Sequence, residues 1–320
     1  MTATQPTLAL NLLQRDEVAA NIHQFVFESA TNDDLPPFTA GAHIALQVPN
    51  GALRKYALCG DPADGAHYSI LVRREDGSSG GTESFIDQAR AGTTFAAVPP
   101  VNDFELPRNA QNLILIAGGI GIAPIMAMVR QLATEPGKSF KLYYLVRSRD
   151  VAAFRDELAA PELKGKVVVH YDGGNPDKSF DFWPVLETRK DRAHIYCCGP
   201  REMMEAVRDM SGHWPHTAVH FMSFVDAAAA KADDKPFTVK LAKSGEVVEV
   251  QVGTTILDAL RAAGHEAPSS CESGTCGTCR TKLIEGEADH RDLVLTDDER
   301  GSNIMICVSR AKSPQLVIDR

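Results

Sequence analysis

Four cysteines carry the clearest chemistry in this sequence. Cys271-Glu-Ser-Gly-Thr-Cys276-Gly-Thr-Cys279 is a Cys-x4-Cys-x2-Cys run, and Cys307 follows it alone. That spacing suits four thiolates around a 2Fe–2S core. The small residues between the cysteines let a loop wrap an inorganic core. Gly274 and Gly277 can adopt positive φ and turn backbone N–H groups toward sulfur. A zinc site more often shows two Cys-x2-4-Cys pairs, and Cys307 lacks such a neighbour; a set of inert buried thiols is the plainer alternative. A 2Fe–2S core carries one electron at a time, so the chain needs an electron source.

Gly118-Gly119-Ile120-Gly121-Ile122-Ala123-Pro124 is the second stretch of interest. It follows the apolar run 112–117 and precedes an apolar-periodic stretch, 125–132. Strand, glycine turn and helix form a unit that seats a pyrophosphate. Gly119-x-Gly121 matches the dinucleotide fingerprint only in part, because Pro124 stands where a third glycine would be. A tight turn with no ligand is the alternative. Cys198-Gly199-Pro200 closes a later strand and opens a helix, a second glycine at a strand end.

The third stretch is split. Arg54-Lys55-Tyr56-Ala57-Leu58 offers a bidentate phosphate donor and a flat ring for stacking. Leu71-Val72-Arg73-Arg74 precedes Gly80-Gly81-Thr82 at a helix start, where free N–H groups and the helix dipole favour an anion. Each signal alone also fits a solvated arginine or an ordinary loop.

The elements needed to hold these residues are readable in outline. At 320 residues, two or three domains are expected. Hydrophobic content of 44% supplies full cores, and a net charge of −9 leaves no basic stripe for nucleic acid. No apolar run reaches about 18 residues and residues 1–16 show no signal pattern, so a soluble cytoplasmic protein without a membrane anchor is expected. The remaining cysteines, Cys59, Cys197 and Cys198, do not form a disulfide framework. Residues 7–13, 22–28, 41–48 and 68–73 read as short strands, with a helix at 83–91 and an extended link at 98–101: an antiparallel barrel or sandwich. From residue 112, strands at 112–117, 140–146, 166–171 and 194–198 alternate with helices at 125–132, 152–158 and 202–210. That alternation predicts a parallel sheet with helices on both faces. Residues 226–235 read as a semi-rigid linker. Beyond it, a hairpin (237–243 and 247–252), a helix capped by Thr254 or Thr255, a capping box at Thr296–Glu299 and strands at 304–307 and 316–318 predict a small α+β domain. His170, His194 and His220 lie in or beside apolar strands and read as structural.

Taken in order, these marks resemble the phthalate dioxygenase reductase family, which includes vanillate O-demethylase reductases. The resemblance rests on Arg54-x-Tyr56-x-Leu58, the turn 118–124, Cys198-Gly199-Pro200 and the four cysteines, and it spans nearly the whole chain. It departs at Ala57, where the family carries Ser or Thr, and mildly at Thr82, where Ser is frequent.

The resemblance implies an FMN-binding β-barrel (1–107), an NAD-binding α/β domain (108–225), the linker (226–235) and a β-grasp 2Fe–2S ferredoxin domain (236–320). It implies that Arg54, with Gly80, Gly81 and Thr82, holds the FMN phosphate, and that Lys55 and Arg74 lie beside that site. Tyr56, Ala57, Leu58, Leu71 and Val72 would line the isoalloxazine. Gly119, Gly121, Pro124, Cys198, Gly199 and Pro200 would face the nicotinamide nucleotide, with Arg147 and Ser148 toward its adenosine. Ala57, Cys198 and Phe224 would stand at the reacting rings, Phe224 as the aromatic cover of the flavin; a core aromatic at a domain boundary is its other reading. Arg147 and Arg149 could take a 2′-phosphate, but Asp150 opposes one and the family uses NADH, so NADH is the expected donor. The implied enzyme is the monomeric reductase of a Rieske-type terminal oxygenase. The rival readings are a stand-alone reductase of a small acceptor and a redox-sensing binding protein.

Overall fold

The computed structural model describes residues 6–31, 33–74, 81–224 and 231–320. The chain divides into two compact units, residues 2–220 and 221–320.

The first unit opens with strands β1 (Leu8–Ala19), β2 (Ile22–Ser29), β3 (His43–Gln47), β4 (Leu53–Ala57) and β5 (Tyr68–Arg73), helix α1 (Gly81–Gln88) and strand β6 (Thr94–Val101). The strands run in the order β4-β3-β6-β1-β2-β5, and a bridge between Leu58 and Ile70 joins the two ends into a barrel. Phe85 of α1 fills the interior, stacked on Phe25 at 4.6 Å and edge-on to Phe95 at 5.2 Å. Rings this large supply most of the buried apolar area.

Three details differ from the sequence reading. β4 was not expected as a strand, because its first three residues, Leu53, Arg54 and Lys55, are all exposed and show no alternation. The link at 98–101 is the end of β6. Its register against β3 slips between His43 and Ala45, and that irregularity accommodates Pro99 and Pro100, which have no N–H to donate. β1 runs six residues past its expected end, with two register shifts along β2.

The α/β part follows: β7 (Asn112–Gly118), α2 (Ile122–Thr134), β8 (Ser139–Val146), α3 (Arg155–Leu158), β9 (Val167–Tyr171), α4 (Trp183–Leu186), β10 (Ala193–Cys198), α5 (Arg201–Met210) and β11 (Val219–Met222). The sheet order is β11-β10-β7-β8-β9, with β10, β7, β8 and β9 paired in parallel. The chain steps from β7 to β8 and β9 on one side, then returns to β10 on the other. The switch point is therefore between β7 and β10. The helix expected over 152–158 shrinks to four residues, because Phe154 holds φ 58° and the Ala153 N–H donates to the Tyr144 hydroxyl at 3.1 Å.

The 221–320 unit contains β12 (Phe237–Leu241), β13 (Val247–Val250), α6 (Ile256–Ala262), β14 (Arg280–Glu285), β15 (Ala288–Asp289), α7 (Asp297–Arg300), β16 (Asn303–Met305), β17 (Arg310–Ala311) and β18 (Gln315–Ile318). The main sheet runs β13-β12-β18-β14-β16, with a parallel β12–β18 pair at its centre. Thr255 caps α6 through the Asp258 N–H, and Thr296 and Glu299 form the expected capping box on α7. Half of the expected linker, 226–230, lies outside the described residues. Residues 231–235 are fastened into this unit: Asp234 is buried between Arg291 and Arg310, and Lys235 O accepts from Arg310.

Half-buried His194 and His220 stack with buried Tyr196 in the first unit. His194 Nδ1 lies 3.1 Å from His220 Nε2, and His220 lies flat on Tyr196 at 4.4 Å. Burial, then the neighbouring His194, lowers the His220 pKa to about 4. The unfolded chain takes this proton near pH 6.5, whereas the folded chain resists it down to about 4. Stability from this group is thus fully present above pH 6.5 and is lost as pH falls toward 4. Most carboxylates stay ionised between pH 6.5 and 5, so the window is readable by thermal melting. His220→Asn is expected to flatten the pH slope there, and the whole effect is on the order of 2–3 kcal/mol.

Candidate cofactor sites

At the switch point, two glycine turns meet backbone to backbone. β7 ends at Gly118, a short turn of 3-10 helix runs Gly119–Gly121, and α2 begins at Ile122. β10 ends at Cys198, paired with Ala117. A Cβ on Gly121 would fall 2.1 Å from the Cys198 carbonyl oxygen, and one on Gly118 would fall 2.5 Å from Pro200 Cδ. These glycines are thus required by strand-end packing, which holds open the crevice at the carboxyl ends of β7 and β10. Ligands of open α/β sheets bind at such crevices. Gly119, with φ 53°, turns the chain into α2, whose first residues include Pro124. Gly119, Gly121, Pro124, Cys198, Gly199 and Pro200 are brought together. Met203, which packs under both turns, was not singled out; contact across two strand ends leaves no local mark in sequence.

Cys198 is fully buried, and burial raises its thiol pKa far above the ordinary range. Burial thus favours the neutral thiol at the end of β10. Arg147 and Ser148 lie exposed just past β8, the strand beside β7, with Arg147 Cδ 3.8 Å from the position of a Cβ on Gly174.

The barrel gathers the expected flavin residues on neighbouring strand ends. Ala57, Leu58, Leu71 and Val72 are buried. Tyr56 is buried against Phe85, with ring centroids 5.7 Å apart. Burial raises the Tyr56 pKa, an effect opposed by the nearby Thr82 hydroxyl. Even so, the Tyr56 hydroxyl completes no hydrogen bond among the described residues. A buried polar atom without a partner, beside the first turn of α1, fits a site made for an external acceptor. Arg54 and Lys55 are exposed next to it on β4. Arg74, expected beside the phosphate site, bonds Asp87 of α1 at 2.5 Å. Gly80 lies outside the described residues. Phe224 falls beyond the division at 220/221, with 42% of its surface exposed.

In the 221–320 unit the four cysteines stand as two pairs. Cys279 and Cys307 have sulfurs 3.1 Å apart, and Cys271 hydrogen-bonds with Cys276. Among the described residues no three metal-ligating side chains gather round one point. Two thiolates per iron is the donor set that a two-iron core asks for. Backbone N–H groups point inward as well: Ser273 N lies 3.4 Å from Cys271 Sγ, and Gly274 donates to Cys307. Within each pair the hydrogen bond lowers the pKa of one thiol, Cys271 or Cys279, and raises that of its partner, Cys276 or Cys307. With paired sulfurs and inward N–H groups, the loop fits the cluster. It is braced by Arg261 of α6, which bonds Glu272 at 2.9 Å, and by the Leu293 N–H, which bonds Gly274 O at 3.0 Å.

Two glycine substitutions separate these sites. Gly121→Ala drives a methyl into the Cys198 carbonyl and is expected to raise the Kd for NADH by about tenfold or more, leaving the visible absorbance of the protein intact. Gly274→Ala forces φ 72° on an alanine and sets its Cβ 2.7 Å from Val308 Cγ2. The expected result is loss of iron and inorganic sulfide, measured by chemical analysis, with NADH affinity unchanged.

Known proteins resemble this chain along its whole length. Residues 239–312 match the family described as 2Fe-2S iron-sulfur cluster binding domain, and residues 115–209 match the oxidoreductase NAD-binding domain. Phthalate dioxygenase reductase of Burkholderia cepacia is 47% identical over 98% of this chain and 97% of its own. Tetrachlorobenzoquinone reductase of Sphingobium chlorophenolicum is 39% identical over the full length of both chains. A solved phthalate dioxygenase reductase, described as a modular structure for electron transfer from pyridine nucleotides to [2Fe-2S], superposes with a TM-score of 0.73 and covers 98% of each chain. The multidomain fold and the oxidoreductase activity follow, with NADH oxidised and electrons leaving through a 2Fe–2S centre toward an oxygenase. The chain belongs to the phthalate dioxygenase reductase family.

Proposed function

We propose that this chain is the reductase component of a Rieske-type oxygenase system, drawing electrons from NADH through FMN and a 2Fe–2S cluster. One observation carries the reading: a nucleotide crevice at a sheet switch point and two pairs of cysteine sulfurs share one chain. The first seats a two-electron donor and the second a one-electron carrier, so a group that handles both is needed between them. When bound, FMN and the cluster supply that conversion and the single-electron relay.

The chain's own residues bind and orient. Arg54 and the first turn of α1, with Gly80, Gly81 and Thr82, hold the FMN phosphate, flanked by Lys55. Arg74, tied to Asp87, anchors the last turn of α1 beside the site. Tyr56, Ala57, Leu58, Leu71 and Val72 make the apolar wall of the ring site, and Phe224 covers it. Gly119, Gly121, Pro124 and Cys198-Gly199-Pro200 admit the nicotinamide nucleotide, and Arg147 and Ser148 face its adenosine. The FMN barrel is 1–107, the NAD domain 108–225 and the ferredoxin domain 236–320. Monomeric action in the cytoplasm completes the reading, since a reducing compartment keeps the four cysteines free of disulfides and open to iron. Among the described residues no helix is long and apolar enough to cross a membrane.

A second reading has one observation in its favour, the full-length similarity to a protein named for reducing a quinone. On that reading the acceptor is a small molecule. Cys276→Ala separates the two. The proposal expects NADH-driven turnover of an aromatic-ring oxygenase to be abolished, while NADH-dependent ferricyanide reduction continues. Unchanged turnover of the oxygenase with Cys276→Ala contradicts the proposal.

A further inference from the structure

Arg130 joins three elements that the reaction requires to be in register. It projects from α2, eight residues after Ile122 and so about 12 Å along the helix from the glycine turn. Its guanidinium donates from Nη1 to the Cys59 carbonyl. Nε and Nη2 bond the two Glu157 oxygens of α3 at 2.7 and 2.6 Å. Its carbon centre lies 5.1 Å from the Phe154 ring centroid. Phe154 is the residue held at φ 58°, so the chain turns sharply just where its ring meets the guanidinium.

Cys59 is itself fixed. Its N–H donates to Ser69 O at 2.8 Å, and the Leu58 N–H donates to Ala42 O at 2.9 Å. The carbonyl that Arg130 grips is therefore a rigid point of the barrel, one residue beyond Leu58 and two beyond Ala57. A main-chain bond, Ala20 N to Asp150 O at 2.8 Å, also links barrel and α/β part, but it lies at the β1–β2 turn, away from the flavin strand. Arg130 ties the nucleotide helix directly to the end of the expected flavin strand through a side chain that is charged, planar and anchored at both forks.

We propose that Arg130 is a positioning residue for hydride transfer: it sets how closely the crevice at Gly119–Gly121 presents the nicotinamide to the ring site beside Ala57 and Leu58. The inference rests on the function proposed above. Reacting atoms must come within about 3–3.5 Å, and a misplacement of roughly 1 Å costs on the order of a hundredfold in rate. A loosened tie between α2 and the barrel therefore affects the transfer step more than either binding step.

The test uses full-length R130A and E157Q, each isolated with its cofactors and mixed anaerobically with NADH in a stopped-flow spectrometer. Wild type must first show flavin bleaching by NADH; if it does not, the proposed function fails and the inference about Arg130 is not what has been tested. Given that, R130A is expected to keep its flavin and cluster absorbance and to bind NADH within about twofold of wild type. Its bleaching rate at saturating NADH is expected to fall by roughly tenfold to a hundredfold. The long-wavelength absorbance of a nicotinamide ring lying on a flavin should weaken in parallel. E157Q, which keeps the side-chain volume and the Cys59 bond, should show a smaller slowing in the same direction. It decides the matter if R130A does not fold. Wild-type bleaching rates in the folded variants overturn the proposal, as does a raised Kd for NADH with an unchanged saturating rate.

Discussion

A single Cβ on Gly121 would lie 2.1 Å from the carbonyl oxygen of Cys198, and that clearance governs how the nucleotide crevice is built. With no side chain between them, the ends of β7 and β10 approach closely enough to pack turn on turn. The topology makes this the place where the chain changes direction across the sheet. α2 then leaves the crevice along a fixed line, with Pro124 in its first turn. From that line Arg130 reaches the carbonyl of Cys59 on the barrel. The nucleotide seat, the helix and the barrel strand are thus linked through a few contacts between backbone groups and one guanidinium.

The cysteine loop follows the same logic on a smaller scale. Gly274 holds a positive φ with Val308 and Asp292 against it, which curls the loop so that N–H groups face sulfur. Negative charge on four thiolates is costly in a buried place unless donors surround it. Here backbone donors do so on one side, while Arg261 braces the loop through Glu272. Neither seat is supplied by a general acid–base pair. The half-buried histidines support this picture: His194 stacks on His220 and His220 on Tyr196, and burial lowers the pKa of both.

Chemistry that depends on spacing within a short stretch was legible in the sequence. The four cysteines, the glycine turn after an apolar strand, the Cys198-Gly199-Pro200 turn and the two helix caps of the last unit all appear where their residue patterns placed them. Features created by neighbours distant in sequence were not. β4 is exposed from Leu53 to Lys55 and only its last residues turn inward, so no alternation reveals a strand. β14 hides for the same reason, with Thr281 and Leu283 its only buried residues. The helix at 152–158 looked continuous, yet Tyr144, from the preceding strand, captures the Ala153 N–H and Phe154 turns left-handed. Arg130 was indistinguishable from any solvated arginine on a helix until its partners at 59, 154 and 157 were seen together.

The central claim is that one chain takes electrons from NADH and passes them through a flavin to a 2Fe–2S centre. The most direct measurement is the absorption spectrum of the purified protein before and after anaerobic NADH, with the released flavin identified by mass. The account predicts FMN, a flavin band on the broad red shoulder of a 2Fe–2S cluster, and bleaching in both regions. A colourless protein, or flavin bleaching with no cluster signal, would contradict it.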